Sequence, residues 1–410
     1  MIAARNRIVL VPAVAIMAAL LILAPACRSN TLQDVMGEEA CSYRFSLFGW
    51  HLRNVPSKLV ASISGIRAVP PPEERKTLLD NFFALQAEIA TLERQLAVEM
   101  ARHGRSPLTD ALEGEILETR RRYMSLSPQA ELIIEREVTG VLASQGFGVT
   151  MARGRFIFPP VLFVFQPAPH MLVLSPRDRI RLLGYELLSP MMTVSEFEVM
   201  EDRVAAQYDN LSAIVASPGG LASYPSIVDE GARFHRTLYV VAHEWVHQYL
   251  IFYPLGRAWF QGGVARQINE TVADIVGYEV ADEIYRLYGS EPPPRHPPPT
   301  ETGFDYAAEM RETRLVTGQL LEEGRVEEAE QYMEERRQLF VQERYYIRKL
   351  NQAYFAIREP YTLSPSSISP IGEQLEELRG YHDTLSEFVL AVRGLTTHEQ
   401  ILSLLDEKRS

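Results

Sequence analysis

The sequence predicts an α+β protein, and three observations support this fold class. Apolar residues recur with helical spacing over long stretches at both ends of the chain. Between residues 147 and 228, short apolar runs bounded by Gly and Pro are typical of strands. Two more helical stretches, at about 231–252 and 265–289, follow those strands. Because strands followed by helices are typical of α+β folds, we expect a mixed sheet with helices packed beside it.

The composition is that of an ordinary globular protein. The 410 residues are 46% hydrophobic and 23% charged, with 41 Lys and Arg against 53 Asp and Glu, a net charge of −12. These values exclude a wholly disordered or multi-span membrane chain, and the acidic balance argues against a nucleic-acid partner. The two cysteines, Cys27 and Cys41, are too few for a disulfide framework or an all-cysteine zinc site. Any metal must therefore be held by histidine and carboxylate.

Residues 1–26 have the layout of an export signal. Two arginines precede an uncharged apolar stretch from Ile8 to Leu23, and small residues stand immediately before Cys27. The pattern predicts a cleaved signal peptide or an uncleaved signal anchor, and hence an exported protein that is membrane-anchored, periplasmic or extracellular. Cys27 has the position of a lipidated lipoprotein cysteine, although Pro25 departs from that pattern. Pairing of Cys27 with Cys41 in an oxidising compartment is the alternative.

The first half of the mature chain is predicted to be a lead segment followed by helices. Residues 27–72 are predicted to be a lead segment and linker. Within them, residues 42–70 alternate aromatic and polar positions and end in prolines, which indicates a short strand or irregular lead followed by a linker. Residues 73–146 form a helical region, with one long helix from Glu73 and further helices near 107–126 and 128–145. The long helix has one apolar stripe, which we expect to pack in a hairpin or small bundle, or to mediate self-association: Leu78, Phe82, Leu85, Ile89, Leu92, Leu96 and Met100.

The second half is predicted to be a mixed domain, a connector and a helical lobe. Residues 147–290 combine the site helices with predicted strands, a helix at Val194–Tyr208 and an extended segment. The strands are predicted at Arg155–Phe158, Val161–Gln166, Met171–Ser175 and Ser212–Ala216. Residues 291–303 are a proline-rich connector, with six prolines at 292–299. Residues 304–410 form a C-terminal helical lobe, with helices at about 304–358, 371–393 and 397–408.

A metal-binding pattern lies in the first of the two site helices. His243 and His247 bracket Glu244 in an apolar run that Asp229 is expected to cap and Pro254 to stop. Residues i and i+4 share a helix face, so both imidazoles can reach one ion. Glu244 is displaced from that face but able to reach a water beside the ion. Its predicted role is general base.

The third ligand is predicted in the next helix. A catalytic zinc takes three protein ligands, and Glu270 lies 23 positions after His247, beyond a glycine-rich loop that folds it back. We assign His243, His247 and Glu270 as ligands of one Zn²⁺. Asp274 shares a face with Glu270 and is predicted to orient one imidazole through its other ring N–H, and Asn269 is assigned with it as a supporting residue.

These two segments resemble the gluzincin metallopeptidases, the thermolysin-like branch of the zincins. The resemblance rests on His-Glu-x-x-His at 243–247 and Asn-Glu-x-x-x-Asp at 269–274, and covers about residues 140–290, a third of the chain. It implies a zincin-like catalytic domain, with a zinc site between two lobes and a sheet whose edge strand binds substrate. On this template Gly219–Val228 is the edge strand, and an ordinary hairpin is the alternative. The residues expected beside an extended peptide are Gly219, Gly220, Leu221 and Ala222.

The resemblance also implies an oxyanion-stabilising tyrosine or histidine from the C-terminal side. The candidates are Tyr354, Tyr361 and His382. Tyr354 also fits the apolar seam of its helix, and His382 also fits a surface position. Tyr361, in a turn just after Pro360, is preferred.

The predicted function is zinc-dependent hydrolysis of peptide bonds, outside the cytoplasm, in a peptide or protein substrate. One alternative is a catalytically idle, zinc-stabilised envelope binding protein whose long helices recruit partners. Another is a coiled-coil structural protein in which His243 and His247 are core residues. Aminopeptidase and endopeptidase activity are equally compatible with the sequence, which also leaves the oligomeric state open.

Overall fold

A computed structural model describes residues 40–63, 70–151, 154–301 and 303–410, together with Asp34 and Gly37. Within these residues the predicted mixed α+β class is confirmed. None of the helices in this part of the chain is both long and apolar enough to cross a membrane. The predicted signal segment 1–26 and Cys27 lie outside the described residues, so export, anchoring, lipidation and a Cys27–Cys41 pair stay predictions.

Helices form most of the described chain, and its strands are short. The helices are α1 (Ala40–Tyr43), α2 (Leu47–Ile63), α3 (Pro72–His103), α4 (Pro107–Ser144), α5 (Val194–Gln207), α6 (Phe234–Leu250), α7 (Pro254–Ala258), α8 (Gly263–Leu287), α9 (Tyr306–Glu322), α10 (Val326–Gln342), α11 (Gln352–Arg358), α12 (Ile371–Gly380), α13 (Leu385–Val392) and α14 (His398–Arg409). The strands are β1 (Val149–Met151), β2 (Gly154–Phe156), β3 (Phe163–Phe165), β4 (His170–Pro176), β5 (Gly184–Leu188), β6 (Leu211–Ala216), β7 (Gly220–Leu221) and β8 (Ser226–Val228).

The long helices α3 and α4 pack as the predicted hairpin. Gly104 ends α3 with φ 67°, in the left-handed region that glycine adopts without strain, and Ser106 caps α4 through the Thr109 N–H. The predicted break between residues 126 and 128 is wrong, because α4 continues through Pro128. Proline removes one backbone hydrogen bond, but the turn that follows is held in the core by fully buried side chains: Ala130, Ile133 and Ile134.

The segment before this hairpin is also helical, where a short strand or irregular lead is predicted. Trp50, Asn54 and Lys58 recur every fourth residue on α2 and face the rest of the fold. The Trp50 indole donates to Gln166 Oε1 over 2.6 Å, and Lys58 Nζ lies 2.7 Å from Glu131 Oε2. These distant partners, rather than the local aromatic alternation, determine the helix.

The described strands form two three-stranded sheets and one small hairpin. One sheet has the order β5-β4-β6 and is antiparallel. The other has the order β3-β8-β7, with β3 parallel and β7 antiparallel to β8. β1 pairs with β2. Neither β1 nor β5 is predicted by the sequence. The local sequence of β5 has no strand pattern, and its pairing with β4 stabilises the extended conformation.

The C-terminal half contains more breaks than predicted. The helical stretch expected at about 304–358 is three helices, because Gly324 turns the chain with φ 74° between α9 and α10, and residues 343–351 form a loop before α11. The stretch at about 371–393 is two helices, α12 and α13, and Thr384 caps the second. The connector at 291–303 contains no helix or strand among its described residues.

One large core joins the distant parts of the chain. It contains buried side chains of the α3–α4 hairpin, of α6 and α8, and of α12, α13 and α14. Two smaller clusters cover the two faces of the β5-β4-β6 sheet. Helices α6 and α8 therefore contribute buried side chains to the core that also joins the N-terminal hairpin to the C-terminal helices.

Candidate metal centre

Helix α6 carries the histidine pair through the interior of the protein. It begins at Phe234 with Arg233 as the N-cap residue, so the predicted cap at Asp229 is wrong; Asp229 accepts from the Gly231 N–H over 3.0 Å instead. The helix ends at Leu250, before the expected stop at Pro254. His243 and Glu244 are 5% and 8% exposed, because layers of the fold cover this helix on most sides.

Helix α8 crosses α6 closely at a glycine. A Cβ at Gly277 would lie 3.1 Å from the Tyr239 carbonyl oxygen and 3.2 Å from His243 Cβ, so a side chain here would push the helices apart. One turn earlier on α8 lies Asp274, and a further turn earlier lies Glu270. The close crossing thus brings two carboxylates of α8 to the imidazoles of α6.

Three donor atoms converge between the two helices. Nε2 of His243 and Nε2 of His247 are 3.0 Å apart, and Glu270 Oε2 lies 3.4 Å from the first and 3.3 Å from the second. A tetrahedral zinc with ligand distances of about 2.0–2.1 Å requires donor separations of about 3.3–3.4 Å. The predicted ligand triad is therefore brought together with a geometry that can hold one metal ion.

The other nitrogen of each imidazole has its own acceptor. His243 Nδ1 lies 3.0 Å from Asp274 Oδ1, and His247 Nδ1 lies 2.7 Å from Asn269 Oδ1. Asn269 is oriented by its Nδ2, which donates to the Leu255 carbonyl over 3.4 Å. With Nδ1–H donating in each ring, the Nε2 lone pairs point toward each other and toward Glu270. Asp274 and Asn269 thus lie where the sequence places supporting residues.

The electrostatics of the triad favour positive charge. Burial alone would lower the pKa of both imidazoles, but Asp274 and Glu270 outweigh it, raising the pKa of His243 to about 10 and that of His247 above its ordinary value. Burial would raise the pKa of Glu270, yet the two imidazoles hold it well below its usual range. A dication at the triad would satisfy the same demand for positive charge that the protons satisfy.

One oxygen of Glu270 is left without a hydrogen-bond donor. Trp259 Nε1 donates to Glu270 Oε1 over 2.8 Å, but the buried Oε2 has no hydrogen-bond partner among the described residues. The two imidazoles, at 3.4 and 3.3 Å, lie beside this buried, ionised oxygen, and metal coordination is one way to offset the cost of burying it. The donor set fits zinc, which binds imidazole nitrogen and carboxylate oxygen.

Glu244 lies beside the triad without belonging to it. Burial raises the pKa of its carboxyl, and no described residue donates a hydrogen bond to it. A Cβ at Gly220 would lie 3.1 Å from Glu244 Oε1 and 2.5 Å from Val240 Cγ1. The edge strand β7 therefore passes α6 at a distance that only glycine permits, directly beside the expected general base.

The segment predicted to bind substrate, residues 219–228, forms a hairpin of β7 and β8. β8 lies in the middle of its sheet, and β7, which contains Gly220 and Leu221, is at the end of the sheet order. Gly219 precedes β7 and its carbonyl accepts from the Asp229 N–H over 3.1 Å, while Ala222 follows β7 in the turn. Of the segment 219–228, the first part is thus at the sheet edge and the last part is not.

Of the three candidates for the oxyanion role, Tyr361 lies at the site. Its ring stacks on His243 with centroids 6.5 Å apart and an interplanar angle of 22°. Thr362 Oγ1 and Thr271 Oγ1, 2.5 Å apart, fix this turn to α8. The negative charge of Glu270, together with burial, keeps the pKa of Tyr361 well above its ordinary value, so its hydroxyl retains its proton.

The other two candidates have different surroundings. Tyr354 is 7% exposed in the core beside the β5-β4-β6 sheet, and the Arg358 guanidinium lies 3.6 Å from its ring centroid. His382 Nδ1 lies 2.8 Å from the Leu378 carbonyl in the turn after α12. Both residues therefore have structural contacts of their own.

Two supporting residues are absent from the sequence prediction. Tyr239 donates its hydroxyl to Asp274 Oδ1 and lies one helical turn before His243, so the i, i+4 rule that relates the histidines could have identified it. Trp259 begins the short 3₁₀ helix Trp259–Gln261 between α7 and α8, and no periodic pattern connects it to Glu270.

Comparisons of the chain with protein-family models, with curated proteins and with solved structures find no match. The resemblance to gluzincins therefore stays a prediction that rests on the sequence of residues 243–247 and 269–274.

Replacement of Asp274 by asparagine is expected to weaken zinc binding by about 10- to 100-fold, since a neutral acceptor supports the His243 imidazole less well than a carboxylate does. Competition with a chromophoric chelator measures the affinity. Asp282→Asn is the matched control. Asp282 pairs with His235 across the same two helices at 2.7 Å, and neither residue is one of the predicted metal ligands. Equal affinities in the two variants would contradict the role of Asp274.

Proposed function

We propose that the protein is a zinc metallopeptidase with a zincin-like catalytic centre. The observation that supports it most is the donor triangle of His243, His247 and Glu270, with the free carboxylate of Glu244 beside it. A purely structural zinc site is normally closed by four protein ligands, whereas catalytic sites keep a position open. Three donors and an adjacent base are what hydrolysis requires.

Each residue has a distinct part in the proposed reaction. A zinc ion held by the triad would lower the pKa of a water and polarise the scissile carbonyl. Glu244 accepts the proton of the attacking water and delivers it to the leaving amine. Tyr361 keeps its proton and donates a hydrogen bond to the developing oxyanion.

The free edge of β7 is the proposed binding site for the peptide backbone. An extended peptide can add to a sheet edge through main-chain hydrogen bonds. At β7 such a peptide would lie next to Gly220, and therefore next to Glu244. The proposed substrate is accordingly a peptide or an extended protein segment, without a nucleic-acid partner.

The proposed place of action is outside the cytoplasm. This part of the proposal is supported by the signal-like residues 1–26, which would export the protein or anchor it in a membrane.

Removal and return of zinc tests the proposal. The purified protein is expected to cleave members of an unbiased peptide mixture, to lose cleavage in a chelator, and to recover it with one equivalent of zinc. Mass spectrometry of the products identifies the cleaved bonds, and peptides with free and blocked N-termini distinguish aminopeptidase from endopeptidase activity. Stoichiometric zinc without any cleavage would contradict the proposal and favour a zinc-stabilised binding protein. Absence of bound metal would favour a structural role for both histidines.

A further inference from the structure

An exposed arginine lies close to the edge strand on the helix that carries the histidines. Arg236 is near the start of α6, and its guanidinium packs over the Tyr239 ring, 4.4 Å from the centroid. A Cβ at Gly219 would lie 3.3 Å from Arg236 Nη2. Two independent contacts therefore place this cation between α6 and the start of β7.

The polar groups of this guanidinium are unused. No described residue forms an ion pair or hydrogen bond with Arg236. Stacking on Tyr239 orients the guanidinium plane without occupying its N–H donors, which match a carboxylate in a bidentate arrangement. By contrast, Arg266 stacks on Trp259 and also donates to the Trp259 carbonyl over 3.3 Å. Arg236 thus has donors available for a ligand.

Arg236 and the expected general base belong to one row of side chains. Arg236, Val240 and Glu244 follow each other at intervals of four, so they share the α6 face that β7 covers. Gly219 packs on the first, and Gly220 packs on the other two. A peptide added to β7 would therefore run along this row.

The spacing between Arg236 and Glu244 determines which part of such a peptide Arg236 can reach. Glu244 follows Arg236 by eight positions, or about 12 Å along the helix at about 1.5 Å per residue. An extended chain covers that distance in about four residues, at roughly 3.3 Å each. A group bound by Arg236 would thus be within about four residues of the scissile bond.

We propose that Arg236 is a specificity-determining residue that binds a carboxylate of the substrate, within about four residues of the cleaved bond. The carboxylate is either the C-terminus of a short peptide or an Asp or Glu side chain, because both offer the same two oxygens to the guanidinium. This inference rests on the proposed peptidase function and adds the substrate class: peptides with a carboxylate at a fixed distance from the bond that is cleaved.

The test compares matched peptides with the full-length zinc-loaded protein. From one cleaved peptide, a first series replaces each Asp or Glu near the cleaved bond by Asn or Gln, and a second series replaces the C-terminal acid by the amide. In the unmodified protein, kcat/KM for the better of the two acid forms is expected to exceed that of its neutral partner by about 10- to 100-fold. The series that shows the difference identifies the source of the carboxylate.

Variants assign the preference to Arg236. Arg236→Gln is expected to reduce the acid-to-neutral ratio to about one, and Arg236→Lys is expected to retain part of it. Arg233→Gln is the control, since Arg233 is exposed one turn earlier and should leave the ratio unchanged. A ratio near one in the unmodified protein, or an unchanged ratio in Arg236→Gln, overturns the proposal.

A binding measurement separates this inference from the function itself. Fluorescence anisotropy measures binding of the same peptides, carrying a fluorescent label, to the zinc-loaded Glu244→Gln variant. This variant is expected to bind the acid forms more tightly than the neutral forms. The double variant that also carries Arg236→Gln is expected to bind both forms equally. If no peptide is cleaved but the acid preference in binding depends on Arg236, the peptidase function fails and the carboxylate site stands. If peptides are cleaved without such a preference, the carboxylate site fails and the peptidase function stands.

Discussion

Replacement of Glu244 by glutamine is expected to reduce kcat for peptide hydrolysis by about 10²- to 10⁴-fold, the usual contribution of a general base. Glutamine has nearly the same shape and can occupy the same space beside Gly220, but it cannot accept the proton of the attacking water. Glu244 contributes no donor to the triad, so zinc content is expected to stay at one ion per chain. Peptide cleavage and elemental analysis on the same preparation measure both quantities.

The control for this variant is the same substitution, glutamate to glutamine, at a position outside the site. Glu88 is exposed on α3, and Glu88→Gln is expected to match the unmodified protein in both measurements. A Glu244→Gln protein that keeps zinc and most of its activity would refute the assignment of Glu244 as base. A protein that loses its zinc would instead place Glu244 among the ligands.

The candidate site is easier to predict from the sequence than the fold around it. Helix periodicity relates His243 to His247, and Glu270 lies near the start of the next helix beyond a glycine-rich loop. From these two features the sequence predicts the three donor atoms that the structure places within reach of one ion. Tyr239 follows the same helix periodicity, although the sequence prediction does not include it. Trp259 and Arg236 act through contacts between a helix and a turn or strand, and no spacing in the sequence encodes them.

The errors in secondary structure have a common physical cause. Local rules predict a break at Pro128 and an irregular lead around Trp50, and in both places contacts distant in sequence prevail. The half of α4 after Pro128 is held in the large core, and α2 is held by Gln166 and the Glu131 and Glu135 carboxylates. Strand β5 likewise depends on its partner β4. Pairings of this kind become visible only in the folded chain.

Replacement of Glu270 by glutamine is expected to remove the metal ion. One of three protein ligands loses its charge, and the buried Oε2 that lies between both imidazoles becomes a weakly binding amide atom. We expect zinc affinity to fall by more than about 100-fold, since even supporting residues contribute about 10- to 100-fold. Glutamine can still accept from the Trp259 indole, so the turn before α8 keeps its hydrogen bond. Circular dichroism should therefore show an unchanged fold.

The loss of zinc affinity should also appear as a loss of stabilisation by zinc. A ligand present at about 1,000 times its Kd stabilises the folded state by about 4 kcal/mol, so zinc is expected to raise the Tm of the unmodified protein and not that of Glu270→Gln. Glu279→Gln is the matched control, because Glu279 lies on the same helix and pairs with Arg379 at 2.9 Å, away from the triad. Glu279→Gln is expected to lower the Tm through loss of that pair and to keep the zinc-dependent rise. If Glu270→Gln bound zinc as tightly as Glu279→Gln, the carboxylate of Glu270 would not be a ligand, and the third donor would have to come from elsewhere.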